Sequence, residues 1–223
     1  MTIYNKNKIL IFAPHPDDET LGCGGTILKN LKKKNKIGLV LFTKISEKKF
    51  SKKAVYKRNV EINKMLKKYK FHFFKNFEFE NSELDKVSDL KLISEIKLVL
   101  DKFKPNILYI PFIGDVHSDH SKISRCSLSC IKSFRHSYLN EAYFYETLSE
   151  TNFNFLKNFN ANTFEDISNF LMQKIQIMKI YKTEIKNHPF PRSIESIKSL
   201  AILRGSQANF KYAEGFQLIL KKK

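Results

Sequence analysis

IFAPHPDDETLGCGG, residues 11–25, runs from an apolar stretch through a His, a Pro and three consecutive acids into a cluster of glycines. Residues 8–13 (KILIFA) read as a short buried strand, and residues 19–34 carry Leu21, Ile27, Leu28 and Leu31 at helical spacing. His15, Asp17, Asp18 and Glu19 therefore fall in the turn between a strand and a helix. Three neighbouring carboxylates repel one another unless a positive charge lies among them. What supplies that charge decides the reading of the whole chain.

A nucleotide phosphate does not. The dinucleotide fingerprint needs a third glycine where Ile27 stands, and a P-loop needs Lys-Ser/Thr where Thr26-Ile27 follow Gly25. The acids occupy the turn in which a phosphate would lie and would repel it. The glycines instead let the helix approach the sheet closely. Helix capping explains one or two acids at a helix N-terminus, but three with a preceding His exceed what capping needs. A hydrolytic triad lacks its G-x-S-x-G elbow, and no Cys stands beside a His in either polar loop. A bivalent cation fits the charge.

Outward from this turn, short apolar segments alternate with longer amphipathic ones. Strands are expected at residues 37–43 (IGLVLFT), 71–74 and 106–112, and helices at 48–69 and 90–103. This alternation predicts an α/β fold, Rossmann-like, with a mostly parallel central sheet covered by helices on both faces in three layers. The second half is less regular. The expectations there are a helix over 121–134, a strand at 142–147, a loop over 151–159 that could cover a site, one long helix over 164–186, a helix over 194–203 and a closing strand at 213–220. With no repeat and no long linker, residues 1–223 read as one domain.

In open parallel sheets ligands sit outside the carboxyl ends of the strands. The strand at 106–112 ends in Gly114-Asp115-Val116-His117-Ser118-Asp119-His120, on the same sheet edge as the first acidic turn. His15 with Asp18, and His117 with His120, each stand three residues apart and can converge on one space. A catalytic zinc takes three nitrogen or oxygen ligands and keeps one position open. The three must be chosen among these residues and the spare acids, and spacing alone leaves that choice open.

The His-Pro-Asp-Asp-Glu turn, the Gly-x-Gly-Gly after it and the distant His-x-Asp-His resemble the LmbE-like (PIG-L-type) zinc-dependent N-deacetylases. Arg58 and Glu61 match an Arg-x-x-Glu of that family. Pro191-Arg192-Ser193, Leu203-Arg204-Gly205 and Ala213-Glu214-Gly215-Phe216 resemble the tail of its bacterial members. The resemblance implies the LmbE-like fold and hydrolysis of the acetyl amide of an N-acetylglucosamine-type sugar through a metal-bound water. It implies His15, Asp18 and His120 as ligands of Zn2+ (or Fe2+ or another divalent cation), Asp17 as general base and His117 as electrophilic or acid partner. It also implies Arg58 facing substrate and Asp119 orienting a histidine. Asp115 and Glu19 are expected either to fix loop backbones or to stand beside the ligands. The alternatives are a metal-dependent amidase or esterase on another small glycan-like molecule, or a basic binding module whose metal is structural. A two-His, one-carboxylate set also suits ferrous oxygenases, but those place it on a jelly roll rather than on alternating strands and helices.

The bulk properties agree with a small-molecule substrate. Of 223 residues 42% are hydrophobic, so a folded globule is expected. The net charge of +18 raises nucleic acid or an anionic membrane surface as partners, but the lysines are dispersed and no nucleic-acid-binding motif occurs. Nucleic acid is not expected. Cys23, Cys126 and Cys130 make no disulfide framework, and Cys126 and Cys130 are expected to share a packed helix face. No apolar run nears the roughly 20 residues that span a bilayer. The N-terminal segment is too interrupted for a secretion signal, which points to a cytoplasmic setting. The oligomeric state and the sugar's carrier are not written in the sequence.

Overall fold

The computed structural model describes residues 6–222; the first five residues of the N-terminal segment and Lys223 of the terminal lysine cluster lie outside the described residues. The sheet is built from β1 (Lys8–Ala13), β2 (Lys36–Lys44), β3 (Phe73–Glu80), β4 (Ile107–Pro111), β5 (Glu141–Tyr145), β6 (Thr163–Asp166) and β7 (Ala213–Lys221), in the spatial order β3-β2-β1-β4-β5-β7-β6. Strands β1 to β5 pair in parallel, while β7 runs antiparallel to both β5 and β6. The helices are α1 (Asp18–Lys32), α2 (Lys52–Tyr69), α3 (Asp89–Phe103), α4 (Ser118–Cys130), α5 (Leu171–Met178) and α6 (Ile194–Gln207).

Alternation along β1 sets the layers. Ile9, Ile11 and Ala13 face a core filled by α1, α2, α5 and α6, and Leu10 and Phe12 face a second core filled by α3 and α4. Central strands buried on both faces must be apolar along their buried length, which residues 9–13 and 37–42 supply. Strand order reverses between β1 and β4, so the crevice outside their carboxyl ends is the topological switch point. Both polar turns open into it. Cys126 and Cys130 are buried in the same core, as a shared helix face requires.

Glycines bring α1 onto the sheet. A Cβ at Gly22 would lie 2.2 Å from the Tyr145 ring on β5, and one at Gly25 would lie 2.5 Å from Ile167. A buried ion pair then clamps this helix. Glu214 on β7 accepts the backbone N–H groups of Gly25 and Thr26, each at 2.8 Å, and Lys174 on α5 donates to Glu214 and to the Leu21 carbonyl, each at 2.7 Å.

The expected long helix over 164–186 does not form. Residues 163–166 are taken into the sheet by pairing with β7, and the helix that follows is the eight-residue α5. Beyond it the chain leaves helical geometry because Tyr181 is drawn into the interior and Glu184 into the crevice. Smaller shifts have local causes. Helix α2 begins at Lys52 because Ser51 caps it through Ala54 N–H, and the strand expected at 71–74 extends as β3 to Glu80. The helix expected over 121–134 is α4, displaced to Ser118–Cys130 by the His117 cap.

Candidate metal centre

Three donor atoms meet at the mouth of the switch point. His15 Nδ1 and His120 Nε2 lie 3.3 Å apart, and Asp18 Oδ2 lies 3.3 Å from the first and 3.2 Å from the second. His15 ends the turn after β1, Asp18 opens α1 and His120 sits in the first turn of α4, so two chain segments build one cluster.

The outer nitrogen of each imidazole is held by a carboxylate. His15 Nε2 faces Asp119 Oδ2 at 3.1 Å, and His120 Nδ1 faces Asp115 Oδ2 at 2.8 Å. With a cation held between them, these bonds would keep the ring N–H groups outward and free both inner nitrogens to ligate, the arrangement metal-bound histidines take. Asp115 is itself fixed by the Thr151 hydroxyl at 2.6 Å. Asp119 accepts the backbone N–H groups of Ser82 at 2.8 Å and Leu84 at 3.1 Å. His15, His117 and Asp119 form a second close group, but there His117 Nδ1 is taken by the Asp119 N–H and Asp119 serves as the outer partner of His15. The fit is best for His15, Asp18 and His120, both of whose imidazoles are held from outside by a carboxylate. Two neutral imidazoles and one carboxylate suit zinc or ferrous iron rather than magnesium or calcium. Among the described residues no group of four such donors occurs.

The charges in the crevice bend each group's titration. Burial opposes ionisation of Asp18, yet the two histidines hold its carboxyl far below the usual range. Burial also opposes protonation of His120, but the Asp18 and Asp115 carboxylates raise it well above an ordinary histidine. His15 is raised in the same way by Asp119 and Asp18 against the effect of burial. Burial, reinforced by the neighbouring Asp18 charge, lifts Asp17 to about 7. Burial and the two adjacent histidines depress His117 to about 4.

Asp17 lines the crevice and is buried, and its side chain makes no capping hydrogen bond to α1. Its backbone is unusual, with φ 134° and ψ −28°. Glu19 supports that conformation from beneath: its Oε2 accepts the Asp17 N–H at 3.0 Å, and its Oε1 accepts from Thr20 Oγ1 at 2.6 Å and Tyr181 OH at 2.9 Å. His117 caps α4 by accepting the Asp119 N–H on Nδ1 at 3.2 Å, which leaves Nε2 as the nitrogen bearing the proton of the neutral ring.

Arg58 reaches the crevice from α2, donating to the Pro16 carbonyl at 3.2 Å and pairing with Glu184; Glu61 is a looser partner at 3.8 Å. Arg192 pairs with the same Glu184 at 2.9 Å and also lines the crevice. The cavity has a volume of about 150 Å³. The structure brings the nine sequence candidates, Arg58 among them, into or against one crevice; Glu150 and Glu184, which also line it, and Tyr181 beneath Glu19 were not anticipated. Arg192 was expected only as part of the Pro191-Arg192-Ser193 stretch that resembles the family's tail, with no role in the site.

The family profile described as GlcNAc-PI de-N-acetylase (PIG-L) matches residues 10–131, which include both polar turns. A diacetylchitobiose deacetylase of Thermococcus kodakarensis is 24% identical, over 95% of this chain and 83% of its own length. The N,N'-diacetylchitobiose deacetylase of Pyrococcus horikoshii superposes with a TM-score of 0.75 at 16% identity, covering 97% of this chain and 85% of that one. The 4-carboxy-2-hydroxymuconate hydratase GalB of Pseudomonas putida superposes with a TM-score of 0.74 at 15% identity, covering 97% and 98%. The fold alone thus carries more than one reaction, and the residues in the crevice must carry the distinction.

Proposed function

The chain belongs to the PIG-L family of GlcNAc-PI de-N-acetylases, and from that premise we propose that it is a divalent-metal-dependent hydrolase, with residues 1–223 acting as one deacetylase domain. It removes the acetyl group from an N-acetylated amino sugar of the N-acetylglucosamine type and releases acetate and the free amine. The observation that carries this reading is the convergence of His15 Nδ1, His120 Nε2 and Asp18 Oδ2. Three donors leave a coordination position free, as a catalytic site needs and a structural zinc site does not. That argues against a binding module with a structural metal.

Zinc is the first choice of cation, with ferrous iron the nearest rival for the same donors. A cation held there supplies Lewis acidity and can lower the pKa of a water toward about 7. The chain's own residues do the rest. Asp17 is free of capping duty and takes a proton from the attacking water. The hydroxide adds to the acetamide carbonyl carbon. His117 presents Nε2–H to the crevice and stabilises the developing oxyanion as a hydrogen-bond donor. Collapse breaks the C–N bond, and the proton held by Asp17 passes to the departing amine. Asp115 and Asp119 fix the orientations of His120 and His15. Arg58 and Arg192 contact the part of the substrate beyond the acetamide.

The test is acetate release from a panel of N-acetylglucosamine derivatives, with and without chelator and with zinc restored. Release that survives the chelator overturns the metal-dependent scheme. Stoichiometric zinc binding with no release from any N-acetyl sugar overturns the deacetylase assignment and shifts weight to another amide or an ester.

A further inference from the structure

We infer that the sheet edge bearing the crevice docks onto an anionic lipid surface, with the segment at residues 153–157 as its apolar contact. Single exposed apolar side chains are ordinary, but a contiguous group of them beside a functional site marks an interaction surface. Leu156 is 95% exposed, Phe155 91% and Phe153 45%, in consecutive or near-consecutive positions. This segment is not a stray loop. The Asn154 side chain donates to the Gly114 carbonyl, and its Oδ1 accepts the N–H groups of Leu156 at 2.8 Å and Lys157 at 3.1 Å. Thr151 bonds Asp115, which in turn holds His120. Phe155 and Leu156 are therefore displayed from a braced turn on the crevice rim. Val116, from the neighbouring turn, is 53% exposed.

The charge on the same edge identifies the partner's sign. Helix α2 starts where β2 ends, beside the crevice residue Lys44. Its first turn holds Lys52 and Lys53 and no acid. Cations at a helix N-terminus oppose the macrodipole, so the helix gains nothing from them there. Lys48, Lys52, Lys53 and Lys157 are exposed, and Phe50 stands among the first three at 39% exposure; Lys49 beside them is paired with Glu83 at 2.6 Å. Apolar side chains projecting between lysines, on a chain of net charge +18, match an anionic headgroup layer over acyl chains. Nucleic acid would engage the lysines but has no use for Leu156 and Val116.

This docking goes beyond the proposed reaction and stands whether or not the reaction is correct, because it is read without substrate. The full chain is sedimented with vesicles of phosphatidylcholine, and of phosphatidylcholine mixed with phosphatidylglycerol. The mixed vesicles carry the protein down and neutral vesicles do so far less. Combined F155S and L156S weakens partition about tenfold or more, and combined K52E and K53E weakens it about tenfold, each with an unchanged far-ultraviolet spectrum. Absence of wild-type partition at low salt overturns the inference. So does binding to duplex DNA as tight as to the mixed vesicles together with indifference to F155S/L156S, which would mark a general polycation.

Discussion

Glu19 Oε2 accepts the backbone N–H of Asp17 at 3.0 Å, and so a fully buried carboxylate holds its neighbour two residues back in a left-handed conformation. A non-glycine residue at φ 134° stores on the order of 1–3 kcal/mol, and this bond is what keeps it there. Glu19→Ala removes the acceptor and leaves the N–H buried, costing about 1–3 kcal/mol in urea denaturation. Turnover falls as well, because the Asp17 carboxylate loses its aim. Glu19→Gln keeps an acceptor for the Asp17 N–H, while the Thr20 and Tyr181 hydroxyls can turn to accept from its amide. It should retain most of both properties.

Asp17 and His15 are adjacent in the crevice but differ in what they are proposed to do. Asp17→Asn preserves shape and leaves the three donors intact, so zinc titration followed by calorimetry should show near-native binding. Acetate release should drop about 10²–10⁴-fold, the usual worth of a proton-transfer group. His15→Ala removes a donor and should lose zinc binding and activity together. Equal loss of zinc in both variants would show that Asp17 is a ligand rather than the base.

Cation binding also couples to folding. A cation at a thousand times its dissociation constant stabilises the native chain by about 4 kcal/mol if the unfolded chain does not bind it. Chelator should therefore lower the melting temperature of the zinc-loaded protein, and zinc should restore it. In His120→Ala the shift should disappear, because Asp18 and His15 alone no longer enclose the ion. A chelator shift that persists in His120→Ala would place the stabilising cation elsewhere.

Much of the architecture around β1 and β4 was legible because it is local and periodic. After their polar first residues, Lys8 and Asn106, KILIFA and NILYIPF are apolar, as strands buried on two faces must be, and each is followed closely by its polar turn. The edge rule for parallel sheets brought the two polar turns together, whereas the choice of His120 rather than His117 as the partner of His15 came only from the family resemblance. The irregular segment between β6 and α6 was misread because its conformation is set from a distance. Apolar positions over 164–186 have helical spacing, but Thr163–Asp166 gains more by pairing with β7 than by extending a helix. Tyr181 is placed by Glu19, and Glu184 by Arg58 and Arg192, so no local pattern announces either residue. Glu214 was quoted as part of a tail motif, yet its partners on α1 lie 188 and 189 residues earlier.

That remote contact gives the last prediction. Lys174 and Glu214 are almost completely buried, and their bonds end on the backbone of α1, the helix that begins with Asp18. Removing one partner strands the other's charge, and breaking such a pair costs about 3–5 kcal/mol. Glu214→Gln should be milder than Glu214→Ala, since its oxygen can still accept from Gly25 or Thr26. Lys174→Met leaves the carboxylate without its cation and the Leu21 carbonyl without its donor. Combining Lys174→Met with Glu214→Gln removes both charges at once, so the double variant should be less destabilised than the sum of the two single changes. The expected coupling is about 0.5–3 kcal/mol. Urea denaturation of the four proteins measures it directly. Strict additivity would mean that the two side chains stabilise α1 independently, through their separate backbone bonds.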